Sequence, residues 1–409
     1  MKSITLLKNK RVLLGVTGSI ACYKSVELAS KLTQAGAHVD VIMSKSAQQF
    51  VTPLTFRSVT GRPVFTDMWS LDEHVRHVGL GETAVLFIIA PATAQTMAKL
   101  AHGIADNLLT VTALAARCPV MVAPAMDGGM YEHPATQANV ALLQERGILF
   151  AGPTTGRMAS GLSGLGRMLE PTELLAQARL AIAQGGMMAG RKVVVTTGPT
   201  REALDPVRFI SNRSTGKQGL AVAQAALDAG ANVCLIHGPI HEPIPIGVDA
   251  ISVTTTAQMA KATLSAVGDA DALFMVAAVS DFRPGTQSDQ KIKKTDEQWG
   301  MAIGLEKTLD ILQAVKAQRE QTGFPRVALG FAAETQNAFD YGRGKLLRKG
   351  LNFIAVNDVT GEGAGFEGNT NKILLLSSAG VVEEMPLQSK TAVSERLVHH
   401  VAKTLNGNK

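Results

Sequence analysis

The chain opens the same folding unit twice. Residues 10–16 (KRVLLGV) place a basic residue before an apolar run. A glycine-containing turn follows, then a helical pattern through LASKLTQAG that stops at Gly36, then a second apolar run, AHVDVIM. Far downstream, Arg191–Thr197 repeats the basic start and apolar run. A Gly-Pro turn and a long polar loop come next, then the helical pattern GLAVAQAALDAG and the run ANVCLIHG. Glycine just past the last helical residue is a usual helix stop. A strand, a turn, a helix and a strand in this order begin a doubly wound sheet, because the right-handed crossover lays the two strands parallel. The expected fold class is α/β: two doubly wound, Rossmann-like or flavodoxin-like domains with mainly parallel sheets.

Length agrees with two such units. The chain has 409 residues, and one core rarely serves more than about 150–200. Between the repeats lies AIAQGGMMAGRK, whose Gly185, Gly186 and Gly190 mark a flexible joint. The expected domains are residues 1–186 and 190–409. Aromatic residues make up only 4% of the chain, which suits small side chains packing helices closely on parallel strands.

Other classes are disfavoured. A net charge of +6 fits anionic small substrates as well as nucleic acid, and no aromatic and basic stretch marks a nucleic-acid grip. Cys22, Cys118 and Cys234 are scattered and odd in number, so neither a disulfide framework nor a CxxC metal site is expected. A reducing, cytoplasmic setting follows. The start MKSITLLKNKRVLLGV reads as the lead-in to a strand and not as a signal peptide. The longest strong apolar run, Val85–Ala90, is far short of a membrane span.

In parallel sheets ligands sit beyond the carboxyl ends of strands, so the loops after apolar runs carry the chemistry. The first is Gly15–Lys24 (GVTGSIACYK), whose backbone N–H groups and Ser19 hydroxyl suit a phosphate at a helix N-terminus. Alone, a plain strand–helix turn explains it equally well. The third glycine of GxGxxG is missing, which disfavours a nicotinamide dinucleotide.

Four further segments follow in order: Ala90–Ala94 (APATA), Gly103–Thr110 (GIADNLLT), Pro124–Tyr131 (PAMDGGMY) and Gly156–Met168 (GRMASGLSGLGRM). With these separations, residues 8–180 resemble the flavin-containing cysteine decarboxylases. They look most like the decarboxylase domain of the bifunctional phosphopantothenoylcysteine decarboxylase/phosphopantothenate–cysteine ligases. The resemblance implies FMN, with Ser19, Ser44, Pro91 and Thr93 lining its pocket and Gly15 in the adjoining turn. It also implies a catalytic histidine on the helix before APATA. Counting back favours His77, with His74 a solvated neighbour.

The implied chemistry uses the flavin as a reversible hydride acceptor. The substrate thiol is oxidised to a thioaldehyde, whose C=S takes up the electrons that departing CO2 leaves behind. Return of the hydride, with a proton from an acid, completes the product. Two positions depart from the family pattern. Asp127 stands where an asparagine usually meets the substrate carboxylate, and an ionised Asp repels a carboxylate unless it is protonated or turned toward donors. Ser160 stands where a cysteine acid is usual. A thiol titrates near ~8.5, a serine hydroxyl is a far poorer donor, and losing a general acid costs about 10²–10⁴ in rate. Either another donor, such as water, serves this variant, or the half has lost the reductive step.

In the second half, Thr197–Arg201 (TGPTR) and Asp205–Gly219 (DPVRFISNRSTGKQG) form a polar loop ahead of a helix. Asn212, Ser214, Thr215, Gly216 and Lys217 offer donors to a phosphate-bearing substrate. The GxxxxGK[ST] order is absent, so a Walker-type ATPase is not expected. Ala277–Pro284 (AAVSDFRP) ends a strand, its Asp281 is placed to meet a divalent cation, and the run Lys291–Lys294 (KIKK) follows. Lys345 and Lys349 share one helix face, where two like charges repel unless an anion or solvent sits between them. Gly361–Asn371 (GEGAGFEGNTN) lacks an apolar pattern and reads as a loop.

Residues 190–400 resemble the phosphopantothenate–cysteine ligase domain, DPVRFISNRSTGKQG being the most specific stretch. The resemblance implies that the carboxylate of 4'-phosphopantothenate attacks the α-phosphate of CTP, releasing pyrophosphate. The amine of cysteine then attacks the acyl-cytidylate. It assigns Asn212 and Ala277 to the acyl intermediate and Asp281 to Mg²⁺ and the nucleotide. Lys291 meets the α-phosphate charge, and Thr308, Asp310, Phe331, Lys345 and Lys349 belong to the nucleotide site. Leu309 replaces a proline common before Asp310. The resemblance also implies a homo-oligomer of trimeric decarboxylase and dimeric ligase units, together a dodecamer. Two other readings remain: a ligase whose first half only binds flavin, or a first half related to flavin prenyltransferases or flavin reductases.

Overall fold

A computed structural model of the chain describes residues 4–68, 76–157, 161, 163–293, 302–334, 337–358 and 368–407. These fall into two compact units, Met1–Gln184 and Gly185–Lys409.

The first unit is built on a six-stranded, wholly parallel sheet. In spatial order its strands are Val64–Phe65, His38–Met43, Arg11–Val16, Leu86–Ala92, Val120–Pro124 and Leu149–Phe150. Leu86–Ala92 is buried along its whole length. Its side chains still alternate between faces. Leu86, Ile88 and Ala90 join one apolar cluster, with the helices Cys22–Gln34 and Pro171–Ala183. Phe87, Ile89 and Ala92 join the other, with Ala94–His102 and Leu108–Ala115. Helices on both faces explain why the strand reads as a continuous apolar run.

The second unit carries an eight-stranded sheet. Asp249–Ser252, Asn232–His237, Lys192–Thr197, Ala272–Met275, Val327–Glu334 and Phe353–Asp358 are parallel neighbours in that order. Thr370–Ser377 and Gly380–Ser389 then add an antiparallel edge. Both sheets are thus of the α/β doubly wound kind expected.

The edge corrects one expectation. The stretch read as a loop through Asn371 already contains the strand that starts at Thr370, and Asn371 is buried; residues 361–367 lie outside those described. The closing helix Lys390–Leu405, capped by the Ser389 hydroxyl accepting from Ala392 N–H, packs on the helix Lys217–Asp228.

Candidate active sites at the two switch points

Each sheet reverses its strand order once, and the crevice at such a reversal is where doubly wound folds bind ligands. In the first unit the reversal separates Arg11–Val16 from Leu86–Ala92. Thr17, just past the first strand, donates from Oγ1 to the Pro91 carbonyl at 2.7 Å and accepts from Thr93 N–H at 3.1 Å. Ser25 donates to the Ala90 carbonyl at 2.6 Å. The peptide bond before Pro91 is cis.

Three half-exposed hydroxyls border this crevice. Ser19 precedes the helix Cys22–Gln34, Ser44 follows the strand His38–Met43, and Thr93 caps the helix Ala94–His102 by accepting from Thr96 N–H at 3.3 Å. The chain comes close here, since a Cβ on Gly18 would lie 2.5 Å from the Ser46 Cβ. Ile20 and Tyr23 are exposed beside Ser19. Gly15 lies buried at the end of its strand and not in the turn after it, and a Cβ there would meet Leu109 and Phe87 at 3.0 Å, so its smallness serves core packing.

Asp127 caps the turn Gly128–Glu132, accepting from Gly129 N–H at 3.1 Å. Its carboxylate is therefore turned toward backbone donors. The hairpin Thr154–Arg157/Ser163–Arg167 is seated on the same segment, with Met126 N–H donating to the Gly166 carbonyl at 3.0 Å. A Cβ on Gly166 would strike the Met126 carbonyl oxygen at 2.3 Å, which makes glycine necessary there. Buried Lys24 holds the hairpin's exit, donating to the Met168 carbonyl and to Glu170, both at 2.9 Å. That bond keeps the Glu170 carboxyl below the usual carboxylate range. His77 lies on the helix Arg76–Thr83, whereas His74 and Ser160 lie outside the described residues.

In the second unit the reversal separates Lys192–Thr197 from Ala272–Met275. A cleft of about 1100 Å³ opens there. Asn212, Ala277, Asp281, Thr308, Asp310, Phe331, Lys345 and Lys349 all line it. Lys291 does not; it is exposed on a neighbouring loop. The loop Val276–Asp281 is fixed from below, because Thr196 Oγ1 accepts from the Val276 and Ala277 N–H groups at 3.2 Å. From above, Asn212 Nδ2 donates to the Ala278 and Val279 carbonyls at 3.1 and 3.0 Å. Thr308 closes the far side, donating to the Ser280 carbonyl at 2.6 Å.

The helix Lys217–Asp228 points its N-terminus at this cleft. Gly216 ahead of it has φ +79°, and a Cβ on Gly219 would lie 2.2 Å from the Thr197 Oγ1. These glycines let the helix start come down onto the strand ends.

Charge is lopsided. Seven Lys and Arg side chains line the cleft against two Asp, as an anionic ligand requires. Lys349 pairs with Asp310, and Lys345 donates to the Phe331 carbonyl at 3.3 Å. Burial lowers the Lys349 pKa, against the pull of nearby Asp281.

Sequence reasoning missed Lys390, Asn357 and Asn371, all buried and all lining the cleft. Burial, with Lys217 repulsion added, brings the Lys390 pKa down to about 8. The Asn357 and Asn371 Oδ1 atoms have no hydrogen-bond partner among the described residues. Buried unpaired acceptors of this kind cost stability unless a ligand donor meets them. The one signal for Asn357 was its place at the end of the apolar run FIAVND.

Among the described residues no three His, Cys, Asp or Glu side chains gather as a metal site. A lone Asp281 fits the habit of Mg²⁺, which is commonly held by one or two carboxylates together with substrate phosphates. Among the described residues no helix is long and apolar enough to cross a membrane.

Comparison with known proteins extends this geometry. Residues 2–180 match the family model "Flavoprotein", and residues 188–405 match "DNA/pantothenate metabolism flavoprotein C-terminal domain". The coenzyme A biosynthesis bifunctional protein CoaBC of Bacillus subtilis is 44% identical over 97% of this chain and 98% of its own. The CoaBC of Mycobacterium tuberculosis strain H37Rv is 43% identical over 97% of each. Among solved structures, the C-terminal domain of a CoaBC covers 54% of this chain and 99% of its own at 31% identity, with a TM-score of 0.46.

Proposed function

The chain belongs to the family of coenzyme A biosynthesis bifunctional proteins, and from that membership we propose that it catalyses two successive steps, one at each switch point. The second unit joins 4'-phosphopantothenate to cysteine at the expense of CTP. The first unit decarboxylates the 4'-phosphopantothenoylcysteine so formed to 4'-phosphopantetheine. The observation that carries the ligase is the cleft, where seven cationic side chains stand against two carboxylates, Asp310 in an ion pair with Lys349 and Asp281 near the same lysine.

In the ligase reaction the phosphopantothenate carboxylate attacks the α-phosphate of CTP, and pyrophosphate leaves. Lys345 and Lys349 hold the nucleotide anion beside Phe331, and Lys291 meets the charge growing on the α-phosphate. Such preplaced cations are worth most in a site where water is scarce. Asp281 offers the carboxylate that Mg²⁺ takes together with substrate phosphates. The two donors of the Asn212 amide are committed to loop carbonyls, so its role toward the acyl intermediate falls to Oδ1, an acceptor for an amine or amide N–H. Asn357 and Asn371 supply further acceptors, matching the exocyclic amino group of a cytosine.

In the first unit the residues fit FMN. Ser19, Ser44 and Thr93 give hydroxyls for a phosphate at a helix start, and the exposed Ile20 and Tyr23 give an apolar surface for a ring. When bound, FMN supplies a reversible two-electron acceptor. The chain's own part is to position the substrate. Asp127 is held in one orientation by the Gly129 N–H that its carboxylate accepts from. His77 is the candidate acid–base group. The same reading implies a cytoplasmic homo-oligomer of trimeric first units and dimeric second units.

The ligase is tested by omitting cysteine. With CTP, Mg²⁺, phosphopantothenate and hydroxylamine, one pyrophosphate should appear for each hydroxamate trapped. Pyrophosphate release that ignores phosphopantothenate would overturn the reading.

A further inference from the structure

A buried carboxylate in the second unit is not used by the chemistry above. Asp205 is 2% exposed and sits in the turn between the paired strands Arg201–Ala203 and Phe209–Ser211. Its Oδ1 accepts from the N–H groups of Val207 and Arg208, both at 2.8 Å. That is an ordinary turn made by aspartate with its own backbone.

The other oxygen does something a turn does not need. Oδ2 accepts from Arg208 Nε at 2.9 Å, from Arg208 Nη2 at 2.5 Å and from the N–H of Ile292 at 3.2 Å. The same Arg208 Nη2 donates to the Ile292 carbonyl at 2.7 Å. One distant residue is therefore gripped at both its backbone donor and its backbone acceptor. Nearby, Ser288 N–H donates to the Leu204 carbonyl at 3.0 Å. Ile292 is half-buried, while its neighbours Lys291 and Lys293 are exposed. With so many donors, and the guanidinium of Arg208 foremost, the Asp205 carboxyl is held far below the usual range and stays ionised.

We propose that Asp205, with Arg208, is a positioning residue for the ligase reaction: by clamping the backbone of Ile292 it fixes the point from which Lys291 reaches the substrate. This rests on the reading of Lys291 as the cation for the α-phosphate. A lysine stem has several free torsions, and ordering it is costly when its own backbone is loose. A clamp one residue away fixes the backbone from which the stem starts, so that only the side-chain torsions are left to order. Asparagine does not replace aspartate here, because its Nδ2 would face donors.

The test is a double-mutant cycle on the full-length protein, read as pyrophosphate release in the first turnover. Lys291→Ala should slow it about 100-fold. Asp205→Asn should slow it about 10-fold with the KM for CTP within about twofold of wild type, and Asp205→Glu should restore part of the rate. The decisive result is the double variant, which should be no slower than Lys291→Ala alone, since a residue acting through Lys291 has nothing left to position. If the two losses multiply, Asp205 acts on its own and the inference falls while the role of Lys291 stands. If Lys291→Ala leaves the rate unchanged, the role of Lys291 itself falls. Arg208→Lys keeps the charge but removes the guanidinium fork that joins Asp205 to the Ile292 carbonyl; a wild-type rate in that variant would also overturn the clamp, even if Asp205→Asn proved too unstable to assay.

Discussion

Thr17 joins the two central strands of the first sheet at their carboxyl ends, donating to the Pro91 carbonyl at 2.7 Å while accepting from Thr93 N–H at 3.1 Å. One buried hydroxyl thus satisfies an acceptor and a donor on the far side of the switch point. Thr17→Val keeps the volume and strands both groups. It should destabilise the first unit by about 1–3 kcal/mol, seen in thermal denaturation. It should also weaken FMN retention, because Thr93 loses its fixed place. Unchanged stability would show that solvent reaches these groups.

Lys349 is the buried member of the Asp310 pair. Lys349→Ala removes the cation of that pair, and if it meets the nucleotide as proposed, CTP affinity should drop about 10–100-fold. The decarboxylase should keep its rate with supplied 4'-phosphopantothenoylcysteine. Calorimetric titration with CTP and a separate decarboxylase assay check the two halves.

Lys390 makes a pH-dependent contribution of opposite sign for stability and for binding. Its folded pKa is about 8, below the ~10.4 of an unfolded lysine. Below pH 8 both states are protonated and burial of the charge costs stability in full. As pH rises from 8 toward ~10.4 the folded state alone is neutral, and the cost is relieved. CTP affinity should run the other way, weakening as pH rises through 8 and the cation is lost. Lys390→Met should therefore raise the melting temperature of the second unit at pH 7 while reducing CTP affinity and flattening its pH profile. A variant that is both less stable and unchanged in binding contradicts this.

Gly219 tests how closely the helix start must approach the strand ends. A Cβ there would sit 2.2 Å from the Thr197 hydroxyl, which itself donates to the Gly216 carbonyl at 2.7 Å. Gly219→Ala should push the helix N-terminus off the cleft and reduce ligase kcat/KM by about 10²-fold or more, again with decarboxylation spared.

Much of this was open to reading along the chain, and the exceptions have physical causes. Parallel strands buried on both faces leave continuous apolar runs, so Leu86–Ala92 and Ala272–Met275 announce themselves, and the loops beyond them border the switch points. Gly15 was ambiguous because a glycine near a turn signals both ligand approach and close packing, and its packing against Leu109 and Phe87 shows only in the folded chain. Lys390 and Asn371 were hidden because the antiparallel edge and last helix bring them to the cleft through pairing across the sheet, which local pattern does not encode. Asp205 was only the first residue of a polar loop in the sequence. Its grip on Ile292 spans 87 positions and exists only once both loops are folded.

The central claim is that one chain performs both steps, although Asp127 and Ser160 depart from the family pattern. The most direct measurement supplies purified, FMN-loaded protein with 4'-phosphopantothenoylcysteine alone, without oxygen, and follows CO2 and product mass. Release of CO2 at an enzymatic rate together with 4'-phosphopantetheine is the expected result, and it would establish that both positions work as they stand. CO2 with an unsaturated thiol about two mass units lighter, for want of the returned hydride and proton, would contradict completion of the second step. No CO2 at all would leave a ligase joined to a catalytically silent flavin domain.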